Sequence, residues 1–203
     1  MEMKRSVPDG RPRRPLKSAM NAHEGPRGPL WQKAISFAAR AHRHQLRKDQ
    51  GTPYVAHPCR VMATVALVFG CAEEVVLAAA ALHDTIEDTT TDYDDLHKHF
   101  GPEVASLVAA LTKNMARPEA AREAEYDAAL SRADWRARLI KLADVYDNLC
   151  DLETSPAEHR SVKARKAADK ARRALTLAEG DESHAPTRLA LAEVRALLAA
   201  LGL

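Results

Sequence analysis

Apolar residues recur along most of this chain at the three- and four-residue spacing of helices packed against a core. Ile35, Phe37, Ala38 and Ala41 give a face to a helix that begins at Leu30. Val61, Met62, Val65, Ala66 and Phe69 mark a second helix over 58–69, stopped at Gly70. A third, over 73–83, is apolar on every side from Val75 to Leu82, which predicts a buried helix. Thr89-Thr90-Thr91-Asp92 is a cap cluster ahead of a helix over 93–100, which Gly101-Pro102 ends. Helices follow over 103–112, 135–152, from after Pro156 to about 179, and 186–201. Residues 116–133 carry a weaker pattern, rich in Ala and charge, with a mobile segment expected around Pro118. Residues 1–29 have no apolar periodicity and are dense in Arg, Lys, Pro and Gly, so a disordered basic tail is expected there. The expectation is an all-α helical bundle: a core over 30–155, with the helices of 156–203 packed on it.

The buried third helix ends in His83-Asp84-Thr85-Ile86-Glu87-Asp88. One imidazole and three carboxylates at the end of an apolar helix need a partner, because burying unpaired charge costs several kcal/mol. A divalent cation is the simplest one. On a continuous helix His83 and Glu87 are one turn apart, as are Asp84 and Asp88, so all four share one broad face. His83 and Asp84 are read as metal ligands, with Glu87 and Asp88 acting on a water or substrate beside them. The competing reading is a surface helix end with acidic capping.

Two further stretches join this one. Leu139, Leu142, Ala143 and Tyr146 form a core face beside which Asp144 falls, a poor place for a lone carboxylate, and Asn148 lies one turn on. His57 stands at the start of the second helix, next to Pro58 at a favoured first position. His57, His83, Asp84 and Asp144 make a two-His, two-Asp set, whose mixed ligation suits Mn²⁺, Fe²⁺, Mg²⁺ or Zn²⁺ alike. Before His57, Arg47 and Lys48 lie in a turn closed by Gly51 and Pro53, offering a planar fork and a point charge to phosphate.

Composition narrows the picture. Aromatic content is only 4% against 46% hydrophobic, which favours close-packed helices over sheets. A net charge of +2 sets up no global field for nucleic acid. The positive charges from Lys163 to Arg173 read as a solvated face or as a phosphate-attracting rim. Cys59, Cys71 and Cys150 are odd in number and form no C-x-x-C pair, so a reduced, cytoplasmic setting without disulfides is expected. No apolar run is long enough to span a bilayer. The last helix is expected to pack on the core or on a second subunit.

The ordered set Arg47-Lys48, Tyr54-x-x-His57-Pro58, His83-Asp84-x-x-Glu87-Asp88, Phe100-Gly101-x-Glu103-Val104, Thr112-Lys113 and Ile140-Lys141-Leu142-Ala143-Asp144-x-x-x-Asn148 resembles a known family. It is the HD-superfamily hydrolase domain of the RelA/SpoT alarmone enzymes, in the format of their small stand-alone members of the metazoan-SpoT-homologue type. The resemblance covers about residues 31–155. It implies an HD-domain helical bundle with one Mn²⁺, hydrolysing the 3′-pyrophosphate of (p)ppGpp to GDP or GTP and pyrophosphate. It further implies His57, His83, Asp84 and Asp144 as metal ligands. Glu87 and Asp88 become the pair that orients and deprotonates water, and Arg47, Lys48 and Asn148 the nucleotide contacts. The family's Asp-Arg-Leu-His-Asn, or its variant ending Tyr-Asn, is here Asp144-Val145-Tyr146-Asp147-Asn148, a departure expected to bear on substrate more than on metal. The alternatives are an HD phosphohydrolase for another nucleotide, such as NADPH or a nucleoside phosphate, and a nucleotide- or RNA-binding protein without turnover.

Overall fold

The computed structural model describes residues 28–154 and 157–203. The basic tail expected over 1–29 lies outside the described residues, apart from Gly28 and Pro29.

The described chain is all helical, with no strand beyond an isolated bridge between Leu46 and Pro53. In order the helices are α1 (Leu30–Ala41), α2 (Ala56–Ala63), α3 (Glu74–Leu82), α4 (Thr85–Asp88), α5 (Tyr93–Phe100), α6 (Pro102–Leu111), α7 (Glu119–Arg132), α8 (Trp135–Cys150), α9 (Ala157–Ala178) and α10 (Ala185–Ala200). A π-helical turn, Thr64–Val68, continues α2.

Helix α3 is central, packed by α1, α2, α6 and α8. Its run Ala78-Ala79-Ala80-Ala81 is fully or almost fully buried, and such small side chains let neighbouring backbones approach on every side. Helix α8 is the second organiser, packed by α2, α6, α9 and α10. Leu139, Ile140, Leu142 and Ala143 are buried there. The pattern-weak stretch after Pro118 is helix α7, anchored by buried Tyr126 and Leu130.

The caps are where the sequence places them. Asp92 accepts from the Asp95 amide, and Asp95 returns the bond, closing a capping box on α5. Gly101 has φ 87, a left-handed conformation open to glycine, and turns the chain from α5 straight into α6.

One local expectation is corrected. Helix α3 does not run on through the motif; it stops at Leu82, and a separate short helix α4 follows. Thr85 Oγ1 donates to the Leu82 carbonyl at 2.7 Å and captures the ladder's next acceptor. Asp84 has φ −98 and ψ −3, in the bridge region where active-site residues often sit. The break turns His83 and Asp84 into the space between α2, α3 and α8 while the Asp88 amide still bonds the Asp84 carbonyl at 2.9 Å.

Candidate metal centre

Three elements deliver the central side chains: α2 brings His57, the α3–α4 turn brings His83 and Asp84, and α8 brings Asp144. His57, His83 and Asp144 each place one ligand atom within 4.8 Å of the others. Asp84 joins them, its Oδ2 lying 3.1 Å from His83 Nε2 and 3.4 Å from His57 Nε2. Asp144 Oδ1 lies 3.3 Å from His57 Nε2 and 3.9 Å from His83 Nε2. Both histidines are buried.

The rear of each imidazole is fixed. His83 Nδ1 bonds the Ala80 carbonyl at 2.9 Å, which puts its hydrogen there and leaves the lone pair on Nε2. That Nε2 is buried and has no aligned hydrogen-bond partner, although Asp84 is close. His57 Nδ1 meets Asp147 Oδ2 at 2.6 Å, so its Nε2 also faces the carboxylates. Two imidazole Nε2 atoms facing two carboxylates, that of His83 without a hydrogen-bond partner, form a donor set that fits a divalent cation of mixed N/O preference.

Charge tells the same story. Burial opposes ionisation of Asp144, yet Lys141 and the two imidazoles outweigh it and hold its carboxyl far below the usual range. Asp84 is likewise held low against burial by His83 and His57. Burial disfavours a charged His57, but hydrogen bonds to Asp144, Asp147 and Asp84 outweigh it and raise its pKa to about 11. The excess negative charge holds a proton on the imidazole, the position a cation's charge would take.

Glu87 and Asp88 follow on α4. The Lys113 amide donates to Glu87 Oε2 at 2.9 Å. Burial, opposed by Lys113 and reinforced by Asp84 and Asp88, pushes the Glu87 pKa up. Tyr54 Oη lies 2.7 Å from Asp84 Oδ2 and 2.9 Å from Asp88 Oδ2, its one hydrogen bridging the two carboxylates. A cavity of about 330 Å³ opens over all these residues.

Arg47 and Lys48 line that cavity from the loop before α2. The loop is held by Arg47 N to Thr52 O at 2.8 Å and by Asp49, which accepts from the Gly51 and Thr52 amides and the Thr52 hydroxyl. Those three bonds lower the Asp49 pKa to about 2. Arg47 donates to Asp151 Oδ2 at 2.7 Å and Asn148 Oδ1 at 3.3 Å, with its Nε buried and without a partner. Asn148 donates to Asp144 Oδ1 at 2.6 Å, so it braces a candidate ligand as well as lining the cavity. A second cavity of about 200 Å³ continues from here toward α9, lined by Lys163, Lys166 and Lys170.

The structure thus brings together all nine residues singled out in the sequence. It adds three that were given no role, Lys141, Tyr54 and Arg60, and shows what Asp147 contacts. Lys141 bonds Asp144 Oδ2 at 2.7 Å, Tyr54 bridges two carboxylates, and Asp147 with Arg60 stands behind His57. Within the Val145-Tyr146-Asp147 departure, Val145 lines the second cavity, whereas Asp147 lies behind the site. It is 4% exposed and points at His57 and Arg60, outside the residues lining either cavity. Its signal was in the sequence: Asp147 falls on the stripe of Ile140 and Ala143, so it had to be buried and paired.

Residues 34–172 match the family model described as HD domain, and the chain belongs to that family. It is 42% identical over 132 residues to the mouse (Mus musculus) guanosine-3′,5′-bis(diphosphate) 3′-pyrophosphohydrolase MESH1, covering 63% of this chain and 74% of the mouse protein. The human (Homo sapiens) protein of that name is 42% identical over 126 residues, covering 62% and 70%. A solved metazoan ortholog of SpoT that hydrolyzes ppGpp superposes with a TM-score of 0.69 at 32% identity, over 84% of this chain and 96% of that one.

Proposed function

Taking HD-family membership as the premise, we propose that this chain is a metal-dependent hydrolase. It removes the 3′-pyrophosphate of guanosine 3′,5′-bis(diphosphate) or its pppGpp counterpart, giving GDP or GTP and pyrophosphate. The observation that carries the reading is the convergence of His57, His83 and Asp144, with Asp84 beside them, on the floor of a cavity rimmed by Arg47 and Lys48. Support also comes from the activity in the names of the mouse and human relatives.

The four residues would hold one ion, which we assign as Mn²⁺. When bound, such a cation stabilises charge developing on phosphoryl oxygens and eases deprotonation of water. The remaining work falls to side chains. Glu87, its carboxylate pushed toward neutrality by burial, exchanges a proton with the attacking water and the leaving group. Asp88, tied to Asp84 through Tyr54, orients that water. Arg47 and Lys48 neutralise phosphate charge, and Arg47 offers its flat guanidinium to the base or phosphate. Asn148 holds Asp144 and contacts the nucleotide. A cytoplasmic location belongs to the same reading. Among the described residues no helix is long and apolar enough to cross a membrane.

The test is pyrophosphate release from ppGpp, with and without Mn²⁺, beside Asp84→Ala. Fast release that needs Mn²⁺ and is lost in the variant is expected. No release from protein shown to hold metal would move the substrate to another nucleotide, such as NADPH. Val145, where the family carries Arg, lines the second cavity and would be the first residue to exchange.

A further inference from the structure

A carboxylate 4% exposed on the core face of a helix needs partners. Asp147 has two, both on α2 and three residues apart. His57 Nδ1 lies 2.6 Å from Oδ2; Arg60 Nε and Nη2 lie 2.6 and 2.9 Å from Oδ1 and Oδ2, a forked guanidinium–carboxylate pair. The imidazole of His57 therefore separates two acidic groups. Asp147 holds its rear nitrogen, and its front nitrogen faces Asp84 and Asp144.

The pair continues forward. Arg60 Nη2 lies 3.6 Å from Asp151 Oδ1, and Asp151 Oδ2 accepts from Arg47 at 2.7 Å. A charge-alternating path, His57–Asp147–Arg60–Asp151–Arg47, runs behind the site from a candidate ligand to a candidate nucleotide contact.

We propose that Asp147 and Arg60 are positioning residues of the metal centre. Asp147 fixes His57 in the orientation that presents Nε2 to the cation and strengthens it as a donor, and Arg60, through its forked pair, holds Asp147 in place. A carboxylate behind a ligating imidazole raises ligand basicity, and losing such a partner lowers metal affinity about 10–100-fold. Arg60, reaching Asp151 as well, tunes the anchorage of Arg47. The proposal rests on reading the cluster as a metal centre.

The experiment titrates Mn²⁺ alone into metal-free wild type, Asp147→Asn and Arg60→Gln by calorimetry, with thermal unfolding of each metal-free protein recorded alongside. The expected result is Mn²⁺ affinity weakened on the order of 10–100-fold in Asp147→Asn and less in Arg60→Gln. Turnover of Asp147→Asn then recovers as Mn²⁺ is raised, with KM for the nucleotide near the wild-type value; Arg60→Gln retains a raised KM at saturating Mn²⁺. A merely structural role would not produce recovery by metal. Should Asp147→Asn fail to fold, Arg60→Gln, whose side chain is 40% exposed, decides alone. Variants that bind Mn²⁺ as tightly as wild type overturn the proposal. A wild type that binds no Mn²⁺ overturns the metal-centre reading beneath it, whatever the substrate.

Discussion

The floor and the rim of the cavity are built on opposite principles. On the floor the histidines are buried, the carboxylates are half-buried, and each is held from behind: His83 by the Ala80 carbonyl, His57 by Asp147, Asp144 by Lys141 and Asn148, Asp84 by Tyr54. The rim is a set of long cations, some braced by a carboxylate of the same chain, as Arg47 is by Asp151 and Lys113 by Glu123. A site that must present fixed lone pairs cannot tolerate rotamer freedom, because misplacing a group by about 1 Å is costly to catalysis. A rim that attracts a polyanion needs charge more than precision, and long flexible side chains supply it. In the proposed function the floor therefore carries the chemistry and the rim carries the binding of the nucleotide.

The sharpest break of that contrast is to delete a floor ligand. His83→Ala or Asp144→Ala is expected to reduce Mn²⁺ binding and turnover together to background, read by calorimetry and pyrophosphate release. In Asp144→Ala, Lys141 is also left as a half-buried cation without its carboxylate, so melting temperature falls too. Next in size is Glu87→Gln, which keeps the shape but removes the proton acceptor. Its kcat should drop about 10²–10⁴-fold with Mn²⁺ affinity retained. Loss of metal in that variant would place Glu87 among the ligands and erase the division of labour on the floor.

Much of this was legible in the sequence, and the part that was not has a physical reason. Helical spacing and caps locate the helices because burial of one face and satisfaction of end groups are local constraints; Asp92 and Gly101 are examples. The candidate ligands could be singled out because charge at the edge of an apolar stripe is expensive, as at His83-Asp84 and Asp144. The break between α3 and α4 escaped, since it depends on the Thr85 hydroxyl taking a backbone carbonyl, a choice no periodicity records. Tyr54 and Arg60 escaped because their partners lie on other elements; Lys141, three residues before Asp144 on the same helix, was within reach of the spacing argument but was not drawn from it. Asp147 shows the limit most clearly. Its burial could be read from its register, but that it faces His57 depends on how α8 crosses α2.

The rim yields smaller effects. Arg47→Ala removes one charged fork that can meet phosphate, an interaction worth about 1.5–3 kcal/mol, so KM should rise roughly 10- to 100-fold with kcat changed far less. Lys48→Ala, on an exposed point charge, should do the same more weakly, and both effects should shrink as salt is raised. A kcat loss in Arg47→Ala as large as that of Glu87→Gln would show that the rim acts on the reacting atoms and would remove the distinction between the two regions.

The smallest expected effect lies in the brace of Lys113. Glu123 accepts from Lys113 Nζ and from Arg173 Nη2, each at 2.7 Å, joining the α6–α7 connection to α9. Burial pushes its pKa up, but these two cations outweigh it and hold it at about 2, below the 4.5 of a free glutamate. The folded state binds a proton at Glu123 less readily than the unfolded chain does. The pair's stabilisation is therefore present above about pH 4.5 and is lost as pH falls toward about 2. Partial exposure limits it to on the order of 1 kcal/mol or less. Glu123→Gln should lower the melting temperature slightly at neutral pH and flatten its fall over that acid window. Mn²⁺ affinity measured at neutral pH should not change, because the brace touches the rim and leaves the floor as it is.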